Sequence, residues 1–174
     1  MIALFAGSFN PIHWGHLALA RYAHESLGAR EVWLMLSPLN PQKEASEQWP
    51  YAERARLVRA AISPYPYMRL VELEQALPRP LYTWRTVQAL RLLYPREDFA
   101  LVIGSDNLQR FRSWSRWQYL LSLIKLYVYP RPGYEIEPSE YTDIPHTLCT
   151  DAPLMDISST EIRRGGGQYA VVSG

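Results

Sequence analysis

A single cysteine, Cys149, in 174 residues leaves no partner for an intramolecular disulfide, so the fold must stand on its core and a reducing setting is expected. Charge of one sign is missing too. Eighteen basic and 17 acidic residues leave a formal net charge of +1, which gives no footprint for DNA, RNA or an anionic membrane surface. Neither nucleic acid nor membrane is therefore expected as a partner. Long apolar runs are absent: the best stretch, Tyr119 to Val128, holds Lys125 and falls short of the ~18 residues that span a bilayer. No basic n-region or apolar h-region follows Met1, so the cytoplasm is the expected compartment. There is no internal repeat, no low-complexity tract, and no G-x-G-x-x-G after the first apolar run. The last absence argues against a dinucleotide-binding dehydrogenase domain.

What is present is apolar residues in quantity, 48% of the chain, enough for the core of one domain over residues 1–174. Short strand-like runs alternate with longer runs at helical spacing. Met1–Phe5, Glu31–Leu36, Met68–Leu73, Phe99–Ile103 and Ile124–Tyr129 read as strands. Leu17–Leu27, Tyr51–Ile62, Thr83–Leu93 and Trp114–Leu123 read as helices, with Gly28 as a stop after the first and Thr83 as N-cap of the third. Alternation of this kind predicts βαβ units: a single α/β domain, Rossmann-like, with a doubly wound parallel sheet and helices on both faces. Loops after the strands then gather along one rim, where such sheets bind ligands. Arg131–Pro145 reads as an exposed loop, and residues 165–174, which begin with three glycines, as a flexible tail.

The most informative segment is Gly7-Ser8-Phe9-Asn10-Pro11-Ile12-His13-Trp14-Gly15-His16. It follows a buried strand and opens a helix, which aims backbone N–H groups and the positive end of the helix dipole at one place, an anion site. Gly7 and Gly15 allow a ligand close to the backbone. His13 and His16, three apart, fall on one side of the helix start and can donate to phosphate oxygens. Six fixed positions, G-x-F-x-P-x-H-x-G-H, arise by chance on the order of 10⁻⁸ per window at residue frequencies of roughly 5%.

This pattern resembles the signature of the HxGH nucleotidylyltransferase superfamily, and three further stretches resemble its bacterial nicotinate-mononucleotide adenylyltransferase branch. Ile157-Ser158-Ser159-Thr160-Glu161-Ile162-Arg163 matches an ISSTxIR motif, Gly104-Ser105-Asp106-Asn107-Leu108 with Trp114 matches a G-x-D-x-L…W segment, and Ser37-Pro38-Leu39-Asn40-Pro41-Gln42-Lys43 is similar to a P-x-x-P-x-K loop. Tyr82-Thr83 and Arg131-Pro132-Gly133-Tyr134 are similar to family stretches as well. The resemblance implies adenylyl transfer from ATP to nicotinate mononucleotide in NAD biosynthesis, with Mg²⁺ accompanying ATP and no protein metal site. It implies His13, His16, Lys43 and Arg163 as the catalytic cations and donors. ATP would meet Gly7, Ser8, Phe9, His13, Gly15, His16, Gly104, Asp106, Ile157, Ser158, Ser159 and Arg163. The mononucleotide would meet Asn40, Lys43, Thr83, Asp106, Trp114 and Arg131.

Several of these positions also have plain structural readings. Ser158…Glu161 is a capping box that needs no ligand; Asp106 and Thr83 suit helix N-caps; any one of six tryptophans suits a core; and Lys43 suits solvent. Nicotinamide mononucleotide, phosphopantetheine or a polyol phosphate remain alternative acceptors, and a non-catalytic nucleotide-binding module is the alternative outside enzymes. A homo-oligomer is left open. Departures from the family are the end of the chain soon after Gly165–Gly167, a short stretch after Tyr134, and Trp84 and Arg85 where small or acidic residues are usual.

Overall fold

The computed structural model describes residues 1–38, 47–154 and 158–165. Among these, six strands form one wholly parallel sheet: β1 (Ile2–Gly7), β2 (Glu31–Leu36), β3 (Met68–Val71), β4 (Phe99–Gly104), β5 (Lys125–Tyr129) and β6 (Thr147–Leu148). Their spatial order is β3-β2-β1-β4-β5-β6. Chain direction across the sheet reverses between β1 and β4, the switch point at which open α/β sheets leave a crevice at their carboxyl ends.

Side-chain alternation along β1 sorts the core into two layers. Ala3 and Phe5 face helices α1 (Trp14–Glu25) and α2 (Tyr51–Ile62), packing with Leu17, Ala20, Val58 and Ala61. Ile2 and Leu4 face the opposite side, with Val87 and Leu90 of α3 (Thr83–Leu93), Leu108 of α4 (Ser105–Gln109) and Leu120 of α5 (Trp117–Leu123). Strands buried on both faces read as continuous apolar runs, and FALVIG of β4 is buried at all six positions. A last helix, α6 (Ser159–Gly165), follows β6.

The doubly wound α/β class is as expected, and β2, α2 and α3 have the predicted bounds. Other expectations need correction. The third strand ends at Val71, giving way to a 3₁₀ turn at Leu73–Ala76. Thr83 is the first residue of α3 and not its cap, because Tyr82 occupies the extended capping position with no side-chain bond. Trp114 lies before α5 and not within it: Arg116 takes a left-handed conformation at φ 51° as the N-cap, and its carbonyl accepts the first helical hydrogen bond, from the Leu120 N–H at 3.0 Å. Arg116 is held there with its guanidinium 4.6 Å from the Trp84 ring and 4.5 Å from that of Tyr119. Arg131–Pro145 is not a wholly exposed loop. It contains a 3₁₀ turn, Pro138–Tyr141, and buries Tyr141 and Ile144 in the second core layer, which delivers the chain to β6.

Candidate active site

The loop between β1 and α1 lies at the switch point. His13 is the N-cap of α1, and its Nδ1 accepts the backbone N–H of Gly15 at 3.1 Å. His16, at the third helical position, reaches back so that its own Nδ1 accepts the His13 N–H at 3.1 Å. Two histidines thus build a capping box that serine and glutamate usually make. The rings stack at 3.8 Å and 22°, with Phe9 edge-on to His16 at 5.0 Å.

This arrangement fixes the tautomer. An Nδ1 that accepts an amide N–H carries no proton, so each neutral ring holds its hydrogen on Nε2. Among the described residues neither Nε2 has a hydrogen-bond partner. Protonation is disfavoured as well. Burial, with the Arg131 charge second, lowers the His13 pKa to about 4, against a small opposing pull from Glu161. Burial holds His16 well below the ordinary imidazole range, helped by His13 and Arg131. The two are neutral donors rather than cations.

Helix α6 closes over this loop. Ser159 Oγ donates to the Pro11 carbonyl at 2.8 Å, and the Arg163 guanidinium donates to the Asn10 carbonyl and to Thr160 Oγ1. Its start is the predicted capping box: Ser158 N–H donates to Glu161 Oε2 at 2.8 Å and Glu161 N–H to Ser158 Oγ at 3.2 Å. Both serine hydroxyls are therefore engaged with protein.

Beyond β4, Gly104 is the N-cap of α4. A Cβ at Gly104 would stand 2.5 Å from Asp106 Oδ1 and 2.8 Å from Arg131 Cδ, so any other residue there forces one or both of these side chains to shift. Arg131 donates to Asp106 Oδ2 at 3.0 Å, and its backbone N–H donates to Ser105 Oγ at 2.8 Å. Asp106 is no cap; it sits in the first turn of α4 with Oδ1 buried and without a partner among the described residues. Such an orphan acceptor needs an explanation. Beside Arg131 opens a cleft of about 300 Å³, lined by Ser105, Pro130, Pro132, Tyr134 and Leu148.

Thr83 and Trp114 form a second group. Trp84 Nε1 donates to Ser115 Oγ at 3.3 Å, joining the start of α3 to the turn that holds Trp114. Trp114 is half-buried and packs on Phe111, ring centroids 4.8 Å apart. No hydrogen bond or ring contact among the described residues joins this group to the histidines. A Cβ at Gly7 would meet the Phe9 ring at an ordinary 3.6 Å, so packing within the protein does not itself demand glycine there. Asn40, Lys43 and Ile157 lie outside the described residues.

Sequence reasoning missed two residues. Arg54, only 1% exposed, bonds four carbonyls of the neighbouring loops. Its signal was there, because Arg54, Val58, Ala61 and Ile62 fall on one helical stripe. Asn10, equally buried, donates from Nδ2 to the Glu47 carbonyl at 3.0 Å and accepts the Trp49 N–H at 2.9 Å. Among the described residues no group of three or more His, Cys, Asp or Glu could hold a metal ion, and no helix is long and apolar enough to cross a membrane.

The chain is similar to known proteins over most of its length. The family model described as Cytidylyltransferase-like matches residues 4–165. A protein of Bacteroides fragilis named "Probable nicotinate-nucleotide adenylyltransferase" is 46% identical over 160 residues, 92% of this chain and 79% of that protein. One of Porphyromonas gingivalis with the same name is 45% identical over 166 residues, 94% of this chain and 82% of its own length. Among solved structures, the nicotinic acid mononucleotide adenylyltransferase of Plasmodium falciparum complexed with NaAD superposes at a TM-score of 0.75. The match covers 94% of this chain and 82% of that one, at 19% identity, and shows a shared fold.

Proposed function

We propose that this chain, which belongs to the cytidylyltransferase-like family, transfers the adenylyl group of ATP to nicotinate mononucleotide, giving nicotinate adenine dinucleotide and pyrophosphate. The observation that carries the chemistry is the stacked histidine pair, whose Nδ1 atoms are both occupied by backbone amides. What remains is two fixed, neutral Nε2–H donors at a helix N-terminus, which suit phosphate oxygens. The choice of acceptor rests on the names of the relatives at 45–46% identity.

The 5′-phosphate of the mononucleotide attacks the α-phosphorus of ATP in line, the new P–O bond forms as the α–β bond breaks, and pyrophosphate departs with the electron pair. The nucleophile is already ionised, so no side chain need remove a proton. Catalysis becomes placement of two anions and stabilisation of charge spreading over the phosphates. His13 and His16 donate from Nε2. Arg163, with five N–H donors, keeps some for phosphate while it holds the Asn10 carbonyl. Lys43 is assigned to phosphate as well. Ser8, Phe9 and Gly15 line the loop. The orphaned Asp106 Oδ1 accepts a ribose hydroxyl, and the cleft beside Arg131 has the size and apolar lining for a nucleobase. Thr83, Asn40 and Trp114 are assigned to the pyridine ring and its carboxylate.

Mg²⁺ enters as part of the substrate, on the ATP phosphates. The loop offers N–H donors and no carboxylate cluster, so phosphate oxygens and water would be its ligands. The setting we infer is the cytoplasm, with which the lone Cys149 thiol is compatible.

The test is pyrophosphate release by purified protein from ATP and Mg²⁺ with either nicotinate or nicotinamide mononucleotide. A kcat/KM at least about tenfold higher with the acid is expected, a difference that a polar pocket reaches readily. Equal use would widen the acceptor to both. No release with either would overturn the reading and turn attention to phosphopantetheine or a polyol phosphate.

A further inference from the structure

Arg54 lies in the first turns of α2 and is 1% exposed. A buried charge is costly unless it is paired or fully hydrogen-bonded. All of its bonds go to carbonyl oxygens: Nε to Trp49 at 2.9 Å, Nη1 to Ser8 and Ser37 at 2.8 Å each, and Nη2 to Pro38 at 2.7 Å. Among the described residues no carboxylate comes within ion-pair distance of it. Four of its five N–H groups thus have carbonyl acceptors among the described residues, and none of these neutralises its charge.

The acceptors are not one loop. Ser8 follows β1 and belongs to the histidine loop; Ser37 and Pro38 follow β2; Trp49 precedes α2. Asn10 adds a second tie by holding the N–H of the same Trp49 whose carbonyl Arg54 holds. Peptide planarity then sets the other side of the histidine loop. The Ser8–Phe9 bond is trans, so with the Ser8 carbonyl turned toward Arg54, the Phe9 N–H points the opposite way. Phe9 itself is held at φ 41°, a conformation costly for a bulky residue and kept only where the surroundings dictate it.

We propose that Arg54 is a positioning residue for the phosphate site. Its guanidinium turns the Ser8, Ser37 and Pro38 carbonyls inward, so that the Phe9 amide faces the triphosphate, and its unneutralised charge backs the same site from below. An apolar side chain could fill this space without the cost of burying a cation; an anion bound above the loop gives that charge a use. The proposal rests on the adenylyl-transfer reading above and concerns the same site.

Arg54→Gln and Arg54→Lys test it, with circular dichroism and thermal melting to establish folding. In Arg54→Gln the Kd for inorganic pyrophosphate and the KM for ATP are expected to rise by about 10- to 100-fold, the scale of a small displacement in a reacting site. The KM for the mononucleotide should move by less than about threefold. Lysine keeps the charge but concentrates its donors on one atom, and should fall between glutamine and wild type. A folded Arg54→Gln protein that binds pyrophosphate as tightly as wild type would overturn the proposal. A uniform loss in kcat at unchanged ATP KM would do the same. If neither variant folds, NMR of the wild-type protein decides. The Phe9 amide and the Arg54 Nε–H resonances should both shift on titration with pyrophosphate, and an unmoved Phe9 amide sinks the idea. Pyrophosphate binding is read without turnover, so wild-type protein inactive with both mononucleotides would defeat the functional reading and leave the Arg54 test intact.

Discussion

The imidazoles of His13 and His16 stack at 3.8 Å, and the backbone N–H of His13 is bonded by His16 while the Nδ1 of His13 is bonded by Gly15. Protonating either Nδ1 would set two N–H groups against each other at 3.1 Å. The pair is a fixed donor unit, and its protonation state follows from the backbone that it caps.

That pair predicts a pH profile. An unfolded histidine titrates near ~6.5, whereas burial and the Arg131 charge bring folded His13 to about 4. Between those values the unfolded chain binds more protons, so stability declines as pH falls from about 6.5 toward 4 and is unaffected by these groups above that window. Any acid limb of the kcat/KM profile at about 6 should accordingly belong to the substrate phosphates and persist in His13→Asn. His16→Ala should lower turnover by roughly 10²–10³ in a protein that still folds, the usual cost of one transition-state donor. An acid limb near 6.5 that vanishes in His13→Asn would mean that a charged imidazole acts, against this account.

Gly104 carries a second prediction. Its missing Cβ makes room for the Arg131 chain to reach Asp106. In Gly104→Ala the two side chains must part, and overpacking costs about 1–3 kcal/mol, a fall in Tm of about 2–4 °C per kcal/mol at this size. Substrate affinity should suffer more, because Asp106 Oδ1 and the Arg131 cation move together: a rise of about tenfold in KM is expected from loss of one charged hydrogen bond. Steady-state kinetics beside a melting curve separate the two effects. Unchanged KM with a lowered Tm would reduce Gly104 to a packing residue.

Much of the fold is legible in the sequence. The bounds of β2 and α2 follow from an apolar run ending at Ser37-Pro38 and a helical run ending at Ser63-Pro64. Other features are not encoded locally. The two residues of β6 are too few to show a period, and their pairing with Tyr127 and Val128 is tertiary. The start of α5 depends on the positive φ of Arg116, which a basic residue gives no reason to expect.

At the site, the histidine motif marks the loop but not which ring nitrogen is free. That Asp106 and Arg131 also pair with each other is a tertiary contact that neither segment shows by itself. Arg54 was hidden by an ordinary bias: a charged residue on a helix is taken for a solvated face, although its spacing puts it on the apolar stripe.

Glu74 gives the last prediction. It is 8% exposed, and burial pushes its pKa up to about 7, with the Ser37 hydroxyl and Arg79 only partly offsetting that. The carboxyl thus titrates well above its ordinary value of 4.5, and the folded protein binds more protons than the unfolded chain between those two values. Stability must therefore fall as pH climbs from about 4.5 to 7 and level off above. The full loss is on the order of 3 kcal/mol, since a tenfold change in proton affinity is worth about 1.4 kcal/mol. Glu74→Gln keeps the shape and removes the charge. It should raise Tm at pH 8 by several degrees, taking about 2–4 °C per kcal/mol, and leave Tm at pH 4 nearly unchanged, where Glu74 is mostly protonated in the folded and unfolded states alike. Calorimetry at the two pH values in matched ionic strength is sufficient. An equal shift at both, or a loss at pH 8, would mean that Glu74 is ionised in the fold and held by a partner strong enough to offset its burial.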